Sequence, residues 1–294
     1  VKKKLVSFSI KAFALILTLC IISSSAEDSP KRSRRLAGGS GIPHATFPFI
    51  VSLQDSSGHF CAGTIISDSV ILTAAHCTFR SEFSIRVGST TAISGGTVHD
   101  ILSIIRHKKY EKVEIEKNIS ILNDLALIKV TPPIIMSESV QKVQLFRQSE
   151  TVANGSNGTL IGWGATRMRR TGDFDYGKIW DRIKSVVIDY DKSHYYSEIL
   201  KQASVTIMSK EECIGKYPST LLRHKFCAYS PQASGCIGDS GGPLMVEGRQ
   251  AGIVSSGGNV CASGRSRGVY VKIASYRDWI DKNVKKLEPT AEKR

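Results

Sequence analysis

An all-β fold of packed antiparallel sheets is predicted by three features of this 294-residue sequence. Short runs rich in β-branched and aliphatic residues recur, among them Phe49-Ile50-Val51-Ser52-Leu53, Thr64-Ile65-Ile66, Val70-Ile71-Leu72 and Leu125-Ala126-Leu127-Ile128-Lys129-Val130. Clusters of Gly, Ser, Asn and Pro separate them at turn spacing, which favours a sandwich or a pair of barrels over alternating strands and helices. Helical periodicity is convincing only near the end, where Tyr276, Trp279, Ile280, Val284 and Leu287 recur at intervals of three and four. A hydrophobic fraction of 41% is enough for a substantial core.

From the start of the chain, Val1-Lys2-Lys3-Lys4, an apolar run from Ala12 to Ile22 and Ser24-Ser25-Ala26 have the basic, apolar and small-residue regions of a secretory signal. The apolar run is too short to span ~30 Å of hydrocarbon, so residues 1–26 are read as a signal peptide cleaved after Ala26. Residues 27–35 are polar and end Arg32-Ser33-Arg34-Arg35, an exposed and cleavable linker. The net charge is +14, but residues 1–35 hold eight Lys or Arg and two acids, and removing that net +6 leaves +8 from Leu36 onward. Such a balance favours anionic surfaces by long-range attraction; no motif for specific nucleic-acid recognition accompanies it.

Seven cysteines occur, and Cys20 would leave with the signal. The remaining Cys61, Cys77, Cys213, Cys227, Cys236 and Cys261 form an even set, which in a secreted chain reads as three disulfides with connectivity left open by spacing. Their spacing lacks a zinc-site repeat, and neither a metal nor another cofactor is expected.

Three motifs carry the chemistry: Thr73-Ala74-Ala75-His76-Cys77, Asp124-Leu125-Ala126-Leu127-Ile128 and Gly238-Asp239-Ser240-Gly241-Gly242-Pro243. A serine hydroxyl is a poor nucleophile unless a neighbouring base takes its proton. That base works best when a buried carboxylate fixes its tautomer and stabilises the imidazolium. Small residues around the serine let backbone N–H groups approach a developing oxyanion.

On these residues the chain resembles the trypsin/chymotrypsin family of serine proteases, from about Leu36 to the helix near Trp279. The resemblance implies His76, Asp124 and Ser240 as catalytic residues, with Gly238 and Ser240 forming the oxyanion hole and Ser255 hydrogen-bonded to Asp124. It implies two antiparallel six-stranded β-barrels, residues 36–150 and 151–275, with a terminal helix at 276–287, a tail at 288–294 and the active site in the cleft between barrels. The disulfides implied are Cys61–Cys77, Cys213–Cys227 and Cys236–Cys261. A further family bridge is missing, with Gly158 and Val246 at its two positions. Leu36-Ala37-Gly38-Gly39 resembles the family's mature start, so residues 27–35 are read as an activation propeptide. Cleavage after Arg35 by an activating protease, another trypsin or a furin-like enzyme, would free the Leu36 ammonium to pair with Asp239. His59 matches a position that in many zymogens of the family holds this aspartate, although an ordinary strand histidine is equally compatible.

The same resemblance implies a substrate pocket containing Ser234, Ser255, Gly257 and Gly268, with Ile121 lining the second subsite. Ser234 stands where trypsins place an aspartate. A cationic side chain would be desolvated there without a partner, so the neutral pocket predicts a preference for Phe, Tyr, Trp or Leu. Ser256 replaces a tryptophan of the subsite wall. Arg265 or Arg267 reaching into the pocket would instead favour an acidic side chain. Two stretches exceed the family pattern, Tyr110–Asn123 and about Arg167–Ile199. The second mixes Arg167, Arg169 and Arg170 with Tyr176, Trp180, Tyr195 and Tyr196, as an exosite or as a tolerated insertion. The loop after Val87-Gly88 lacks calcium-binding carboxylates. Asn118, Asn154 and Asn157 head glycosylation sequons.

The sequence therefore predicts a secreted, extracellular serine endopeptidase made as a zymogen, acting on protein or peptide substrates and open to protein inhibitors. The alternatives are a non-catalytic homologue used as a binding protein, and a protease preferring trypsin-like or acidic side chains.

Overall fold

The computed structural model describes residues 40–115, 118–165, 167–168, 194–214, 221–231, 235–256 and 267–288. A short strand β1 (Ser40–Gly41) precedes β2 (Ile50–Asp55), β3 (Gly58–Ile65), β4 (Val70–Thr73), β5 (Ser84–Val87) and β6 (Thr97–Arg106). A hairpin of β7 (Glu111–Ile115) and β8 (Asn118–Leu122) then leads to β9 (Ala126–Thr131). Strands β2-β3-β4-β9-β6-β5 close into a six-stranded antiparallel barrel. The sequence dictates this inward packing. Ile85 and Val87 alternate with more exposed neighbours along β5, while Val70, Ile71, Leu72 and Thr73 are buried throughout on the central strand β4. Shortening Ile71 or Leu72 to Ala should cost about 2–5 kcal/mol by opening a cavity.

The second half contains β10 (Asn157–Gly162), the two-residue pair β11 (Arg167–Met168) and β12 (His194–Tyr195), then β13 (Lys201–Ile207), helix α1 (Lys210–Ile214) and β14 (Lys225–Tyr229). β15 (Pro243–Val246), β16 (Arg249–Ser256), β17 (Arg267–Lys272) and helix α2 (Arg277–Leu287) follow. The order β13-β10-β15-β16-β17-β14 is closed by pairing of β13 with β14, giving a second antiparallel six-stranded barrel with β1 attached to β13. Along β13, Ala203, Val205 and Ile207 alternate inward. Helix α2 spans the predicted amphipathic stretch and buries Ile280, Asn283 and Leu287.

A buried amide fastens one barrel to the other. Gln250, 0% exposed on β16, accepts a hydrogen bond from the Thr64 hydroxyl of β3 at 2.8 Å, while its backbone exchanges hydrogen bonds with Gln144 and Phe146 of the crossing segment. Gly158 and Val246 face each other in register across β10 and β15, so the two non-cysteine residues occupy opposed positions. Disulfides join Cys61 to Cys77 and Cys213 to Cys227. Cys236 is also disulfide-bonded, and Cys261 lies outside the described residues.

Candidate active site

His76 lies on a single turn of 3-10 helix, Ala75–Thr78, immediately after β4, and the Cys61–Cys77 disulfide ties that turn to β3. Asp124 follows β8 through Asn123, whose φ of +48° makes the sharp turn. The Asn123 side chain holds this turn from two sides, accepting from the Tyr276 hydroxyl at 2.8 Å and donating to the Lys109 carbonyl at 2.6 Å. Asp124 is 0% exposed. Its Oδ1 accepts the His76 backbone N–H at 2.9 Å, and its Oδ2 accepts both His76 Nδ1 at 2.7 Å and the Ser255 hydroxyl at 2.7 Å. Burial opposes the charge on Asp124, but the adjacent imidazole and these hydrogen bonds outweigh it and hold the carboxyl below the usual range. A proton on His76 Nδ1 leaves Nε2 as the basic nitrogen.

Ser240 is half-buried in a turn held by both barrels. Its carbonyl accepts Ala62 N–H from β3 at 2.8 Å, while Gly241 N–H donates to Val254 of β16 at 2.8 Å and Gly242 accepts Val254 N–H at 2.9 Å. The neighbouring glycines are required sterically. Gly238 has φ +97° and Gly241 φ +80°; a Cβ at Gly241 would lie 2.2 Å from Thr73 Oγ1.

Asp239 turns away from solvent beneath this loop. Its Oδ1 accepts Gly164 N–H at 2.8 Å and its Oδ2 accepts Cys236 N–H at 2.9 Å. The Gly162-Trp163-Gly164 motif makes room for it, since a Cβ at either glycine would come within 2.2 Å of a carboxylate oxygen. Burial pushes its pKa up to about 6, against the two N–H donors and the charge of Lys201. His59 does not hold Asp239. Its Nε2 pairs with the Gly238 carbonyl at 2.9 Å and its Nδ1 with Ser52 Oγ at 2.8 Å, with its ring edge-on to Trp163 and Tyr196. Enclosed this way, His59 is lowered to about 4 by burial, with the Gly238 carbonyl opposing.

Several of the predicted pocket residues need correcting or lie elsewhere. The Ser255 side chain is 4% exposed and committed to Asp124, so it offers no side-chain contact to a substrate. Pairing between β16 and β17 skips Ser255, with the register shift falling between Val254 and Ser256. Ile121 is 3% exposed, which leaves it little surface for lining a subsite. Arg267 donates to the Glu212 carbonyl at 2.6 Å, so its guanidinium is engaged on α1 rather than aimed at a substrate acid. Gly268 fits its position because a Cβ would lie 2.3 Å from the Tyr270 hydroxyl. Arg35, Leu36, Ser234, Gly257, Cys261 and Arg265 lie outside the described residues, as does most of the 167–199 insertion. Of that insertion, Tyr196 packs its ring against His59 and the Gly238 backbone.

Sequence reasoning missed Asn123, which holds the turn into Asp124, and the buried Tyr110 hydroxyl and Lys225 amine. Among the described residues, the Tyr110 hydroxyl and Lys225 Nζ are buried without a hydrogen-bond partner. Cys61, His76 and Cys77 form a close group of atoms with metal-ligand chemistry, but both sulfurs are consumed in the disulfide.

A two-barrel, chymotrypsin-like fold defines the class of this molecule. The Trypsin family model matches residues 36–187 and 175–280, and the chain belongs to that family of serine proteases. Trypsin delta of Drosophila melanogaster is 32% identical over 260 residues, covering 86% of this chain and 90% of the relative. A trypsin of Phaedon cochleariae is 28% identical over 285 residues, covering 94% and 98%. Among solved structures, neuropsin, a serine protease expressed in the limbic system of mouse brain, superposes with a TM-score of 0.69 at 28% identity, covering 84% of this chain and 98% of its own. The protein is a serine endopeptidase that acts on protein or peptide substrates.

Proposed function

We propose that Ser240, His76 and Asp124 form the catalytic triad of an endopeptidase secreted as a zymogen. The observation that carries this reading is the Asp124 carboxylate, fully buried and receiving both N–H groups of His76, backbone and ring, together with the Ser255 hydroxyl. His76 Nε2 takes the proton of Ser240 as Oγ attacks the scissile carbonyl carbon. The resulting oxyanion is stabilised by the N–H groups of Gly238 and Ser240. The imidazolium then protonates the departing amine as its C–N bond breaks, leaving an acyl-enzyme. A water molecule, deprotonated by the same imidazole, attacks that ester and regenerates the Ser240 hydroxyl.

Activation follows cleavage after Arg35, when the new Leu36 ammonium pairs with Asp239. The buried carboxylate supports this reading, because burial makes it costly as an anion and a cation would relieve that cost. The signal-like residues 1–26 and the disulfides support passage through an oxidising, secretory compartment. Its partners there are the activating protease, protein inhibitors and, through the basic balance, anionic surfaces. Ser234 in place of an acid supports cleavage after Phe, Tyr, Trp or Leu.

N-terminal sequencing of the secreted protein, with turnover of Phe-, Arg- and Asp-terminated peptide esters before and after cleavage at Arg35, tests these assignments. The expected result is turnover of the Phe ester only when Leu36 is the first residue. Preference for the Arg or Asp ester would overturn the pocket assignment, and full activity with an uncleaved Arg35 would overturn the zymogen.

A further inference from the structure

Asp239 is 2% exposed, and burial makes its charge costly unless a cation stands nearby. In the uncleaved chain the Leu36 nitrogen is an amide of Arg35 and carries no charge. The carboxylate nevertheless lies beneath the Ser240 loop, on the N–H groups of Gly164 and Cys236, while His59 is engaged by the Gly238 carbonyl. A buried carboxylate seated there without the free terminus needs another source of positive charge, or a proton.

The strand register leads to Lys201, the first residue of β13. Gly162 of β10 is its direct partner in the antiparallel ladder, and directly opposed residues project from the same face of a sheet. The same ladder shows this further along, where a Cβ on Gly158 would lie 3.2 Å from the side chain of its partner Val205. A Cβ on Gly162 would lie 2.2 Å from Asp239 Oδ1. The Lys201 Cβ stands about 5 Å from that point on the same face, and its flexible alkyl stem spans what remains. This is the buried parity of β13: Lys201, Ala203, Val205 and Ile207 alternate with more exposed neighbours, and Lys201 is 9% exposed. On its other edge β13 meets Gly41 of β1 opposite Lys201, which brings no charge. The remaining ionisable groups beside Asp239 offer no cation. His59 is lowered to about 4 by burial, with the Gly238 carbonyl opposing, and the Tyr270 phenol is pushed up by burial and then by Asp239. Burial lowers the Lys201 amine with the Asp239 charge opposing, and burial raises Asp239 with its two N–H donors and then Lys201 opposing.

We propose that Lys201 is a positioning residue for Asp239, its ammonium serving as the counter-cation of that carboxylate until cleavage at Arg35 frees the Leu36 terminus to replace it. The carboxylate is then already seated beneath Gly238 and Ser240 before cleavage, and activation exchanges one cation for another. The exchange rests on the Leu36–Asp239 pairing proposed above, whereas the pairing of Lys201 with Asp239 in the uncleaved chain does not.

The test is a double-mutant cycle read by urea unfolding at neutral pH, disulfides intact, in a Ser240→Ala background that prevents autolysis. Lys201→Met, Asp239→Asn and the double variant are compared in the uncleaved full-length chain and after cleavage at Arg35 by added trypsin. In the uncleaved chain the two substitutions should be coupled about three- to tenfold in the folding equilibrium constant, the size of a charge pair in a partly screened interior. After cleavage that coupling should fall below about twofold. Lys201→Arg, which keeps the charge, should hold the uncleaved chain within about twofold of its parent, a rescue that loss of packing alone would not give. Should Lys201→Met fail to fold, the Cε resonances of 13C-lysine in the parent chain decide. One lysine should follow the ionisation of Asp239 near pH 6, lose that step in Asp239→Asn, and lose it in the parent once Arg35 is cleaved. Absence of the coupling, or of such a lysine, in the uncleaved chain overturns the inference. Coupling that persists undiminished after cleavage overturns the Leu36–Asp239 pairing instead, with Lys201 left as the lasting partner of Asp239.

Discussion

His59 and Asp239 flank the backbone that carries Ser240, and folding perturbs their protonation in opposite senses. His59 titrates near 4 in the folded chain against 6.5 when unperturbed, because burial penalises the imidazolium. Between those values the unfolded state binds the extra proton. The stabilisation is complete above 6.5 and is lost as pH falls towards 4, amounting to about 3 kcal/mol. Asp239 titrates near 6 in the folded chain against 3.8, because burial penalises the carboxylate. Here the folded state binds the extra proton, so the stabilisation is complete below 3.8 and is lost as pH rises through 6, again about 3 kcal/mol. The two effects share almost the same window and cancel in the intact pair. Urea unfolding of the uncleaved full-length chain from pH 4 to pH 7, disulfides intact, resolves them when read as differences between curves. Relative to wild type, His59→Gln should lose about 3 kcal/mol as pH rises across that window, keeping an amide able to reach the Gly238 carbonyl. Asp239→Asn should gain about as much over the same range. Curves for both variants running parallel to wild type would refute the assigned burial of these groups.

Asp124→Asn should lower kcat/KM about 10³- to 10⁴-fold, because the amide must keep its oxygen on the His76 backbone donor and so presents N–H to the ring, forcing the wrong imidazole tautomer. Steady-state turnover of a peptide ester measures this, and a loss under tenfold would contradict the geometry. Gly164→Ala would bring a Cβ within 2.2 Å of Asp239 Oδ2; unfolding should show a loss of about 2–4 kcal/mol, and the displaced Asp239 should lower activity at least a hundredfold. Wild-type stability and rate in that variant would show that the carboxylate can sit elsewhere.

Much of this fold was legible in the sequence because strand periodicity and turn residues are local signals. The Val70-Ile71-Leu72 run and the α2 stripe of Ile280, Val284 and Leu287 read directly. Barrel closure was not local: it depends on β13 pairing with β14 at Thr206 and Ile207, and it entered through the family resemblance. The triad motifs were legible for a related reason, since the small residues around Ser240 reflect close backbone approach. Missed were side chains that meet from distant segments. Nothing near His59 in sequence announces the Gly238 carbonyl that it binds in preference to Asp239. The alternative of Arg267 reaching into the pocket could not be decided from sequence, because only folding brings the Glu212 carbonyl of α1 to its guanidinium.

Labelling by a serine-reactive phosphonate, followed by peptide mass spectrometry, tests the proposed triad most directly. With Leu36 freed, one equivalent should attach to Ser240, with labelling abolished in Ser240→Ala and slowed at least a hundredfold in His76→Ala. Adduct formation at another serine, or equal labelling of the folded His76→Ala chain, would contradict the assignment of Ser240 as the nucleophile and His76 as its base.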